Sequence, residues 1–508
     1  MILERKNLAA IRNNPAVQVA GDEVFNLPEK VLQFGTGVLL RGLPDYFIDK
    51  ANRQGVFNGR VVIVKSTSQG DTNAFAKQDN LYTVCIKGVE NGALVEEDIV
   101  ITAISRVLSA QEQWNDILAC AAKPAMQIVI SNTTEVGISL VKENVLDGVP
   151  ASFPGKLLAF LYKRYHTLGN NVESGMVIVP TELISDNGTK LKAIILELAA
   201  FNQFDEAFIN WLDQHNDFCN SLVDRIVPGR LPAATEQKSE QLLGYKDELK
   251  IMSECYALWA IETSSARTKE ILSFAGVHKG VILTPDITKY KEIKLRLLNG
   301  THTFSCGLAM LAGFRIVKDA MSDKTFELFL TNLMQEEIAN AIIDNHIDKQ
   351  DCQTFAHQVI DRFKNPHLDH QWLSITMQYT SKMAMRNVPL IRAYYEKHNS
   401  VPQFMALGFA GYLLFMRTEK NSDGKYQRTI NQQANLVTDD KAEVLYALWQ
   451  QYSGDDLVQQ ALAKKELWGT DLSALPGFVK AVSNYVELLE KKPVEEVIGE
   501  VSSEEFVK

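Results

Sequence analysis

Short apolar runs rich in β-branched residues alternate with helix-length segments along the first part of the chain. This spacing predicts βαβ units, because parallel strands need a crossover segment between them. Strands that are apolar throughout also predict a sheet that is covered by helices on both faces. The runs lie in the segments "KVLQFGTG", "RVVIVKSTS", "DIVITAIS", "MQIVISNT" and "GMVIVPTEL". We therefore predict a doubly wound α/β domain with a mostly parallel sheet.

The pattern becomes helical further along the chain. Between about residues 190 and 280, the segments "TKLKAIILELAAF" and "DEAFINWLDQHNDFCNSLVDRI" predict helices, and "GVILTPDITKY" predicts a last strand with a linker. After Pro285 strand signals almost vanish, and amphipathic segments such as "FELFLTNLMQEEIANAIID" and "GFVKAVSNYVELLEKK" follow one another. We predict two domains: residues 1–280, doubly wound with helical elaboration, and residues 281–508, mainly helical.

Composition narrows the class of protein. The 508 residues exceed what one ordinary core holds, and a 46% hydrophobic and 22% charged content is that of a soluble globular protein. A net charge of −10 argues against nucleic acid or an anionic membrane as a partner, because such binding uses clustered Lys and Arg. The six widely spread cysteines include no CxxC pair, which is typical of reduced thiols in a cytoplasmic protein. We expect a cytoplasmic monomer or small homo-oligomer.

A glycine-rich turn follows the first predicted strand. In "VLQFGTGVLLRG", Gly35 and Gly37 lie between a strand and a predicted helix. Glycine permits the tight turn and lets backbone N–H groups approach a pyrophosphate at a helix N-terminus. The third glycine of the usual dinucleotide fingerprint is replaced by Leu40, so an ordinary tight turn between strand and helix is the alternative.

The end of the second predicted strand bears on the choice of cofactor. An Asp or Glu is expected there if a ribose 2′-hydroxyl is bound in the usual way. The sequence "VVIVKSTSQGD" instead has Lys65, Ser66 and Thr67 at this place. Lys65 would suit a 2′-phosphate, or it is simply a solvated lysine. The residues alone therefore leave NAD and NADP open.

Three different polar groups interrupt an apolar run in "KLRLLNGTHT", residues 294–303. If the run is helical at about 100° per residue, Lys294, Asn299 and His302 lie at roughly 0°, 140° and 80°. One broad sector of the helix would then carry an amine, an amide and an imidazole. The alternative is a solvated helix surface, since charged residues are mostly exposed.

Two histidines three residues apart in "HLDH", His367 and His370, resemble metal ligands carried on a helix. A third ligand with convincing spacing does not accompany them. We therefore predict that the chain has no metal site.

Several segments together resemble the long-chain mannitol dehydrogenase family, also called the polyol-specific long-chain dehydrogenases, and within it the branch that acts on sugar acids. The combination is more specific than any one segment, and the segments run in order from about residue 31 to residue 390. They are "QFGTGVLLRG", "LYTVCIKG", "ISNTTEVGI", "PTELISDNG", "FINWLDQHNDFCNSLVDRIVPG", "DITKYKEIKLRLLNGTHT" and "RFKNPHLDHQWLSI".

The resemblance implies a Rossmann-type N-terminal domain that binds a nicotinamide cofactor, a mainly helical C-terminal domain, and catalysis without a metal. It implies NAD-dependent, reversible reduction of a keto sugar acid, tagaturonate to altronate, in hexuronate breakdown. Fructuronate, or a polyol such as mannitol, is the alternative substrate. A non-catalytic dinucleotide-binding sensor is the alternative from a different class of protein.

The family signature K-x4-N-x2-H falls on Lys294, Asn299 and His302. A lysine amine in a partly desolvated site gives up its proton more readily than one in water, so Lys294 is the implied general acid and base. Asn299 would donate a hydrogen bond to the developing oxyanion. His302 would bond a substrate hydroxyl or hold the lysine in place.

Four residues are the implied substrate contacts. Glu182 in "PTELISDNG" occupies the place of an asparagine in the mannitol enzymes, so its role stays open between proton relay, hydroxyl binding and fixing Lys294. Asp224 in "LVDRIVPG" matches another site position, although an Asp–Arg pair at a helix end is the alternative. Lys382 and Arg386 in "TSKMAMRNVP" are candidates for binding the substrate carboxylate.

The implied cofactor contacts come from the glycine turn and from the ends of two neighbouring strands. They are Phe34, Gly35, Thr36, Gly37, Val38, Arg41, Ser66, Asn132 and Thr133.

Overall fold

A computed structural model of the chain describes residues 1–66, 72–133 and 136–504. Thr67 and positions 134–135 of "ISNTTEVGI" lie outside the described residues. The chain forms two compact units, the first made of Met1–Gly88 and Leu94–Ile287, the second of Val89–Ala93 and Thr288–Lys508.

The first unit is built on parallel strands. The central sheet has six strands in the order β5-β2-β1-β6-β7-β8, and every pair in it is parallel, which confirms the predicted doubly wound α/β fold. A separate sheet contains β10, β3 and β4, and another contains β12, β11 and β9. The strands are β1 (Glu29–Phe34), β2 (Arg60–Lys65), β3 (Tyr82–Glu90), β4 (Ala93–Ile101), β5 (Ile104–Ser109), β6 (Ile128–Ser131), β7 (Val177–Pro180), β8 (Asp217–Phe218), β9 (Ser221–Asp224), β10 (Ile251–Ser253), β11 (Leu258–Glu262) and β12 (Val281–Thr284).

The strand order reverses between β1 and β6. The chain runs outward from β1 to β2 and β5, and then returns to place β6 on the other side of β1. In open parallel sheets, ligands bind at the carboxyl ends of the strands beside such a reversal. Gly35 follows β1 and Asn132 follows β6, so both lie at this point.

Alternating residues of the central strands enter two separate cores, one on each face of the sheet. Val31 and Ile63 belong to one core, and Leu32 and Val62 belong to the other. All four side chains are fully buried, which is why these strands are apolar throughout. The helices of the first unit are α1 (Leu8–Ile11), α2 (Val38–Gly42), α3 (Pro44–Arg53), α4 (Asn73–Lys77), α5 (Trp114–Cys120), α6 (Phe153–Leu168), α7 (Asn187–Phe201), α8 (Glu206–His215), α9 (Ala233–Leu243) and α10 (Ala266–Ile271).

The helical prediction for "DEAFINWLDQHNDFCNSLVDRI" is wrong beyond His215. The chain turns at Asn216, whose side-chain amide donates to the carbonyl of Trp211 (3.0 Å) and accepts from the backbone N–H of Met176 (3.0 Å). It continues as β8, which pairs with β7, and β9, which pairs antiparallel with β11. The strands form because neighbouring edges are available, and helical periodicity does not reveal that.

The second unit is mainly helical, as predicted, with a small antiparallel sheet that the pattern did not predict: β13 (Glu419–Lys420), β14 (Tyr426–Ile430) and β15 (Gln433–Leu436). Three segments are π-helical: Lys294–Gly300, Leu333–Ile338 and Met383–Asn387. The helices are α11 (Thr288–Ile293), α12 (Thr301–Leu311), α13 (Val317–Ala320), α14 (Lys324–Asn332), α15 (Ala339–Ile342), α16 (Lys349–Phe363), α17 (Trp372–Ile375), α18 (Tyr379–Lys382), α19 (Val388–Lys397), α20 (Gln403–Phe415), α21 (Ala442–Gln451), α22 (Gly454–Ala463), α23 (Lys465–Trp468), α24 (Phe478–Lys491) and α25 (Val494–Glu504).

Helix α20 is the buried centre of the second unit and packs against α12 and α24. A Cβ at Gly408 would lie 2.9 Å from the Cβ of Phe304, and one at Gly411 would lie 2.5 Å from the Cγ of Leu308. The two glycines therefore let α12 approach closely, which fixes the helix that carries His302. Within the described part of the chain, no helix is both long and apolar enough to cross a bilayer.

Candidate functional site

The glycine turn follows β1 directly. Gly35 has a φ of +128°, and a Cβ there would lie 2.9 Å from the backbone oxygen of Asn132, so only glycine fits. Gly37 precedes α2, and a Cβ at Gly37 would meet nothing within 4 Å. The turn is therefore tight against β6 on one side and open on the other, which fits a backbone that a pyrophosphate approaches. Helix α2 is short, because the chain breaks at Leu43 before α3 begins.

Two of the predicted cofactor residues direct their side chains into the core. Phe34 is fully buried and packs on Phe153, with 5.0 Å between ring centroids. Arg41 is buried and its Nη1 donates to the carbonyl of Leu249 (2.6 Å). Thr36 and Val38 remain partly exposed at the turn, and Gly37 is exposed. At Phe34 and Arg41 a ligand contact would have to come from the backbone.

A buried polar pair that the sequence did not reveal lies beneath the turn. The Nε2 group of Gln33 donates to Asp45 Oδ2 (3.3 Å) and to the carbonyl of Gly35 (3.4 Å). Asp45 is fully buried, and burial raises its pKa to about 7, partly offset by the bond from Gln33 and the charge of Arg41. The carbonyl of Gly35 is thus held from below by a side chain whose partner titrates near neutral pH.

The ends of β6 and β7 are joined by side chains. Glu182 is buried; its Oε2 accepts from Ser131 Oγ (3.0 Å), and its Oε1 accepts from the backbone N–H (2.9 Å) and hydroxyl (3.0 Å) of Thr133. Asn132 Nδ2 donates to the carbonyl and the hydroxyl of Thr181, both at 3.0 Å. The structure therefore brings together Glu182, Asn132 and Thr133 of the predicted set, beside Gly35.

Two further predicted residues of the first unit stand at strand ends. Ser66 follows β2, and its buried Oγ has no hydrogen-bond partner among the described residues. Asp224 is buried at the end of β9, opposite Leu258 of β11. Arg225 donates to the carbonyls of Glu254 (3.0 Å) and Gly42 (2.7 Å). The alternative of an Asp–Arg pair at a helix end is therefore wrong, because this segment is a strand.

In the second unit, "KLRLLNGTHT" spans a π-helix and an α-helix. Lys294 and Asn299 lie on the π-helical segment Lys294–Gly300, and His302 lies in the first turn of α12. A π-helix closes i→i+5 hydrogen bonds, so the α-helical angle of 100° per residue is wrong for this stretch. Lys294 and Asn299 are partly exposed, whereas His302 is buried. Single π turns inside helices occur frequently at functional sites.

The π-helical segment with Lys294 packs against the one with Arg386. Pro389 follows that second segment and has no N–H, so it cannot donate to the carbonyl four residues earlier, that of Met385. Arg296 Nη1 donates to this carbonyl (3.1 Å) and to that of Arg386 (2.8 Å). The guanidinium of Arg296 therefore ties the two segments together.

The imidazole of His302 is buried, and the charges of several basic side chains act on it. It stacks on Phe363 with 4.4 Å between ring centroids and meets His370 edge-on at 5.2 Å. Its buried Nε2 has no hydrogen-bond partner within the described ranges. Burial, followed by the charges of His370, Arg362, Arg386 and Lys382, holds the pKa of His302 well below its usual value. The ring is therefore neutral at neutral pH.

Arg386 and Lys382 are the residues predicted to bind the substrate carboxylate, and the charges of both act on His302. Arg386 Nη1 donates to Thr303 Oγ1 (3.2 Å), whose hydroxyl donates to the carbonyl of Asn299 (2.7 Å). Lys382 Nζ donates to the carbonyl of Ile375 (2.9 Å). Burial lowers the pKa of both cations, and the charge of Arg386 lowers that of Lys382 further.

Sequence reasoning did not assign a site role to Arg362 or His370. Both lie in "RFKNPHLDHQWLSI", so the signal was present, but the separation along the chain hid their proximity to His302. His367 and His370 stand in a non-helical stretch after α16. In the ranges that the structure describes, no group of three or more His, Cys, Asp or Glu is arranged to hold a metal ion.

Two family models match the chain, one for each part. The mannitol dehydrogenase Rossmann domain matches residues 29–272, and the mannitol dehydrogenase C-terminal domain matches residues 286–490. The altronate oxidoreductase of Halalkalibacterium halodurans is 37% identical over 94% of this chain and 93% of its own. The altronate oxidoreductase of Bacillus subtilis is 34% identical over 92% of this chain and 93% of its own.

Two solved structures share the fold. Pseudomonas fluorescens mannitol 2-dehydrogenase, in a ternary complex with NAD and D-mannitol, superposes with a TM-score of 0.66 at 23% identity, covering 99% of this chain and 100% of that one. D-sorbitol dehydrogenase in substrate-free form superposes with a TM-score of 0.78 at 20% identity, covering 98% and 100%. At these identities the likeness concerns the fold.

Proposed function

The chain belongs to the mannitol dehydrogenase family, and we propose that it reduces the keto sugar acid tagaturonate to altronate. It is an oxidoreductase acting on CH–OH groups. In the proposal the reaction is reversible, uses NADH, and belongs to the breakdown of hexuronates. The names of the two altronate oxidoreductases, which match more than nine-tenths of the chain, support this substrate.

The observation that carries the substrate class is the positive charge around His302. The charges of Arg362, Lys382 and Arg386 all act on this one buried ring, whereas burial and the charges of Arg362 and Lys382 lower the pKa of the neighbouring His370. A carboxylate bound among them would gain charge-assisted hydrogen bonds, and arginine matches a carboxylate in geometry as well as charge. A neutral ketose or polyol would gain nothing comparable. The cluster therefore supports a sugar acid over fructose or mannitol.

In the proposed reaction, the ketone carbon receives a hydride and its oxygen receives a proton. NADH supplies the hydride. Lys294 donates the proton to the developing alkoxide and removes it in the reverse direction. Asn299 donates its amide N–H to the same oxygen, and removing one such donor typically costs about 2.7 to 4 kcal/mol in transition-state stabilisation.

The remaining groups of the second unit hold the sugar. The neutral ring of His302 is fixed by stacking on Phe363 and can exchange a hydrogen bond with a sugar hydroxyl through Nε2. Arg386 and Lys382 take the carboxylate. Thr303 links Arg386 to the backbone carbonyl of Asn299. A carboxylate that binds Arg386 can therefore affect the position of Asn299, whose side-chain amide is the proposed donor.

The dinucleotide is assigned to the first unit. The backbone of Gly35, Thr36, Gly37 and Val38 would approach the pyrophosphate. Ser66, whose buried hydroxyl has no partner among the described residues, would approach the adenosine ribose. Asn132 and Thr133, at the reversal of strand order, would border the nicotinamide half. Lys65 in place of an acid keeps NADP as the alternative cofactor.

The test is a panel of substrates. The purified protein is mixed with tagaturonate, fructuronate and fructose, each with NADH and with NADPH, and nicotinamide absorbance is followed. We expect tagaturonate with NADH to give the highest kcat/KM. Faster turnover of fructose than of either uronate would defeat the proposal, and faster turnover of fructuronate would correct the substrate. Dinucleotide binding without any turnover would indicate a sensor.

A further inference from the structure

The carboxylate of Glu182 is used entirely within the first unit. The residue is 3% exposed, and both of its oxygens accept hydrogen bonds. All three donors belong to the segment that closes β6, namely the hydroxyl of Ser131 and the N–H and hydroxyl of Thr133. An ionised carboxylate offers about four acceptor positions, so three of them are already taken. Little capacity remains for a sugar hydroxyl.

The segment that Glu182 holds forms one side of the glycine turn. The backbone N–H of Asn132 donates to the carbonyl of Phe34 (3.1 Å). The backbone oxygen of Asn132 lies 2.9 Å from the place that a Cβ at Gly35 would occupy. A small displacement of residues 131–133 would therefore move directly into the glycine turn or away from it.

Glu182 is itself held firmly from the other side. Asn187, which is fully buried, donates to the carbonyls of Pro180 (3.1 Å), Glu182 (3.0 Å) and Ser221 (3.1 Å). The backbone at Glu182 is thus anchored to β7 and β9 together. Because this backbone is fixed, the side chain of Glu182 can hold Ser131 and Thr133 in place.

We propose that Glu182 is a positioning residue that holds residues 131–133 against the glycine turn and thereby sets the affinity for the dinucleotide. This inference rests on the proposed function, because it assumes that the dinucleotide binds at that turn. It gives Glu182 a role different from the substrate contact that the resemblance implied. Glu182 acts through Ser131 and Thr133 and does not touch the sugar.

The same unit contains a matched control. Asp49 is also buried, and its Oδ1 accepts from both the backbone N–H (2.6 Å) and the hydroxyl (2.7 Å) of Thr102, as Glu182 does from Thr133. Thr102 follows β4, which is not in the central sheet. Asp49→Asn therefore disturbs a similar buried bond to a threonine outside the central sheet, together with the bond that Asp49 Oδ2 accepts from Arg53 Nε (2.6 Å).

The experiment compares Glu182→Gln, Glu182→Ala, Ser131→Ala and Asp49→Asn. The dissociation constant for NADH is measured by titration, KM for the sugar acid at saturating NADH, and thermal unfolding alongside. We expect Glu182→Ala to raise the dissociation constant for NADH about tenfold, because the charge-assisted hydrogen bonds from Ser131 and Thr133 are lost. Glu182→Gln should raise it less. Ser131→Ala should weaken NADH binding by a few-fold, and a variant that combines Ser131→Ala with Glu182→Ala should bind NADH little more weakly than Glu182→Ala alone. KM for the sugar acid should stay within twofold.

Four outcomes would overturn the inference. Unchanged NADH affinity with a raised KM for the sugar acid would make Glu182 a substrate contact. Equal loss of NADH affinity in Asp49→Asn and Glu182→Gln would make it a merely structural residue. Fully additive effects of Ser131→Ala and Glu182→Ala would remove the connection between them. Failure of the unmodified protein to bind NADH or NADPH would overturn the inference and the proposed function together. Failure of the proposed substrate alone is distinguishable, since NADH affinity is measured without it.

Discussion

The two candidate regions differ in whether their buried polar groups have hydrogen-bond partners. At the ends of β6 and β7, Glu182, Ser131 and Thr133 satisfy one another. On α12, the Nε2 of His302 stays buried without a partner among the described residues, while cations gather around the ring. A buried polar group left unpaired costs roughly 1–3 kcal/mol. The second arrangement is therefore maintained at a cost to folding, which Glu182, Ser131 and Thr133 avoid by pairing with one another.

The backbones of the two regions also differ. The first region stands on parallel strands and one glycine turn, whereas the second stands on two π-helical segments joined by Arg296. We interpret the first region as a preformed surface for the cofactor. We interpret the second as a site that a bound anion completes, because a carboxylate would supply a partner for His302 Nε2, which has none among the described residues.

The largest expected effect is in the second region. Lys294→Ala should lower kcat by about 10²- to 10⁴-fold, the usual contribution of a general acid, and leave the NADH dissociation constant nearly unchanged. Stopped-flow reduction and NADH titration measure the two quantities. Lys291→Ala, on α11 just before the π-helical segment, is the matched control and should stay within a few-fold of the unmodified protein. Parallel loss of turnover and NADH binding in Lys294→Ala would instead indicate a folding role.

Arg386→Ala should raise KM for the sugar acid by about 30-fold, because a hydrogen bond to a charged group contributes about 1.5–3 kcal/mol. Any slow reduction of neutral fructose should change far less, and that comparison is the control. Arg386→Lys keeps the charge and should recover part of the loss. Equal effects on fructose and on the sugar acid would contradict a carboxylate role.

Arg296→Met should reduce kcat/KM for the sugar acid about five- to tenfold, because two carbonyl contacts that join the π-helical segments are lost. NADH affinity should not change. Arg392→Ala, which removes an exposed i,i+4 pair with Glu396, is the control and should have no effect on turnover. An NADH affinity that falls with the activity would show that Arg296 supports the fold more widely.

The last prediction concerns the stability of the first unit and not turnover. Asp45 has a pKa raised to about 7, so the folded state keeps a proton that the unfolded chain has lost, and stability falls as pH rises from about 4 to about 7. Asp45→Asn should remove that fall and raise the free energy of unfolding at pH 8 by about 2 kcal/mol, less than full linkage because the amide replaces one acceptor oxygen of the carboxylate by a donor beside Gln33. Denaturant unfolding at pH 4 and pH 8 measures it. An equal effect at both pH values would mean that Asp45 does not titrate in this range.

Much of the fold was predictable because its signals are local. The apolar strands of the central sheet, the glycine turn and the helical character of the second half follow from periodicity and composition. Strands β8, β9, β10 and β11 were missed because they depend on neighbouring strand edges. The prediction of one strand in "DIVITAIS" is wrong, because the segment is divided between the end of β4 and the start of β5. The π-helical segments were missed because their geometry depends on packing against other segments. Pro389 did indicate that the carbonyl of Met385 would need a different donor, which is Arg296.

The sequence by itself determined which chemical groups are available: an amine, an amide and an imidazole within nine residues, and a glycine where a side chain would collide with Asn132. Only the tertiary structure decided what surrounds them. The charges of Arg362 and Arg386 act on His302, and the ring of His370 contacts it, although all three residues come from distant parts of the chain. The carboxylate of Glu182 accepts hydrogen bonds from Ser131 and Thr133. Burial and charge act through space, so their effect on a residue is set by the folded neighbours and not by its position in the sequence.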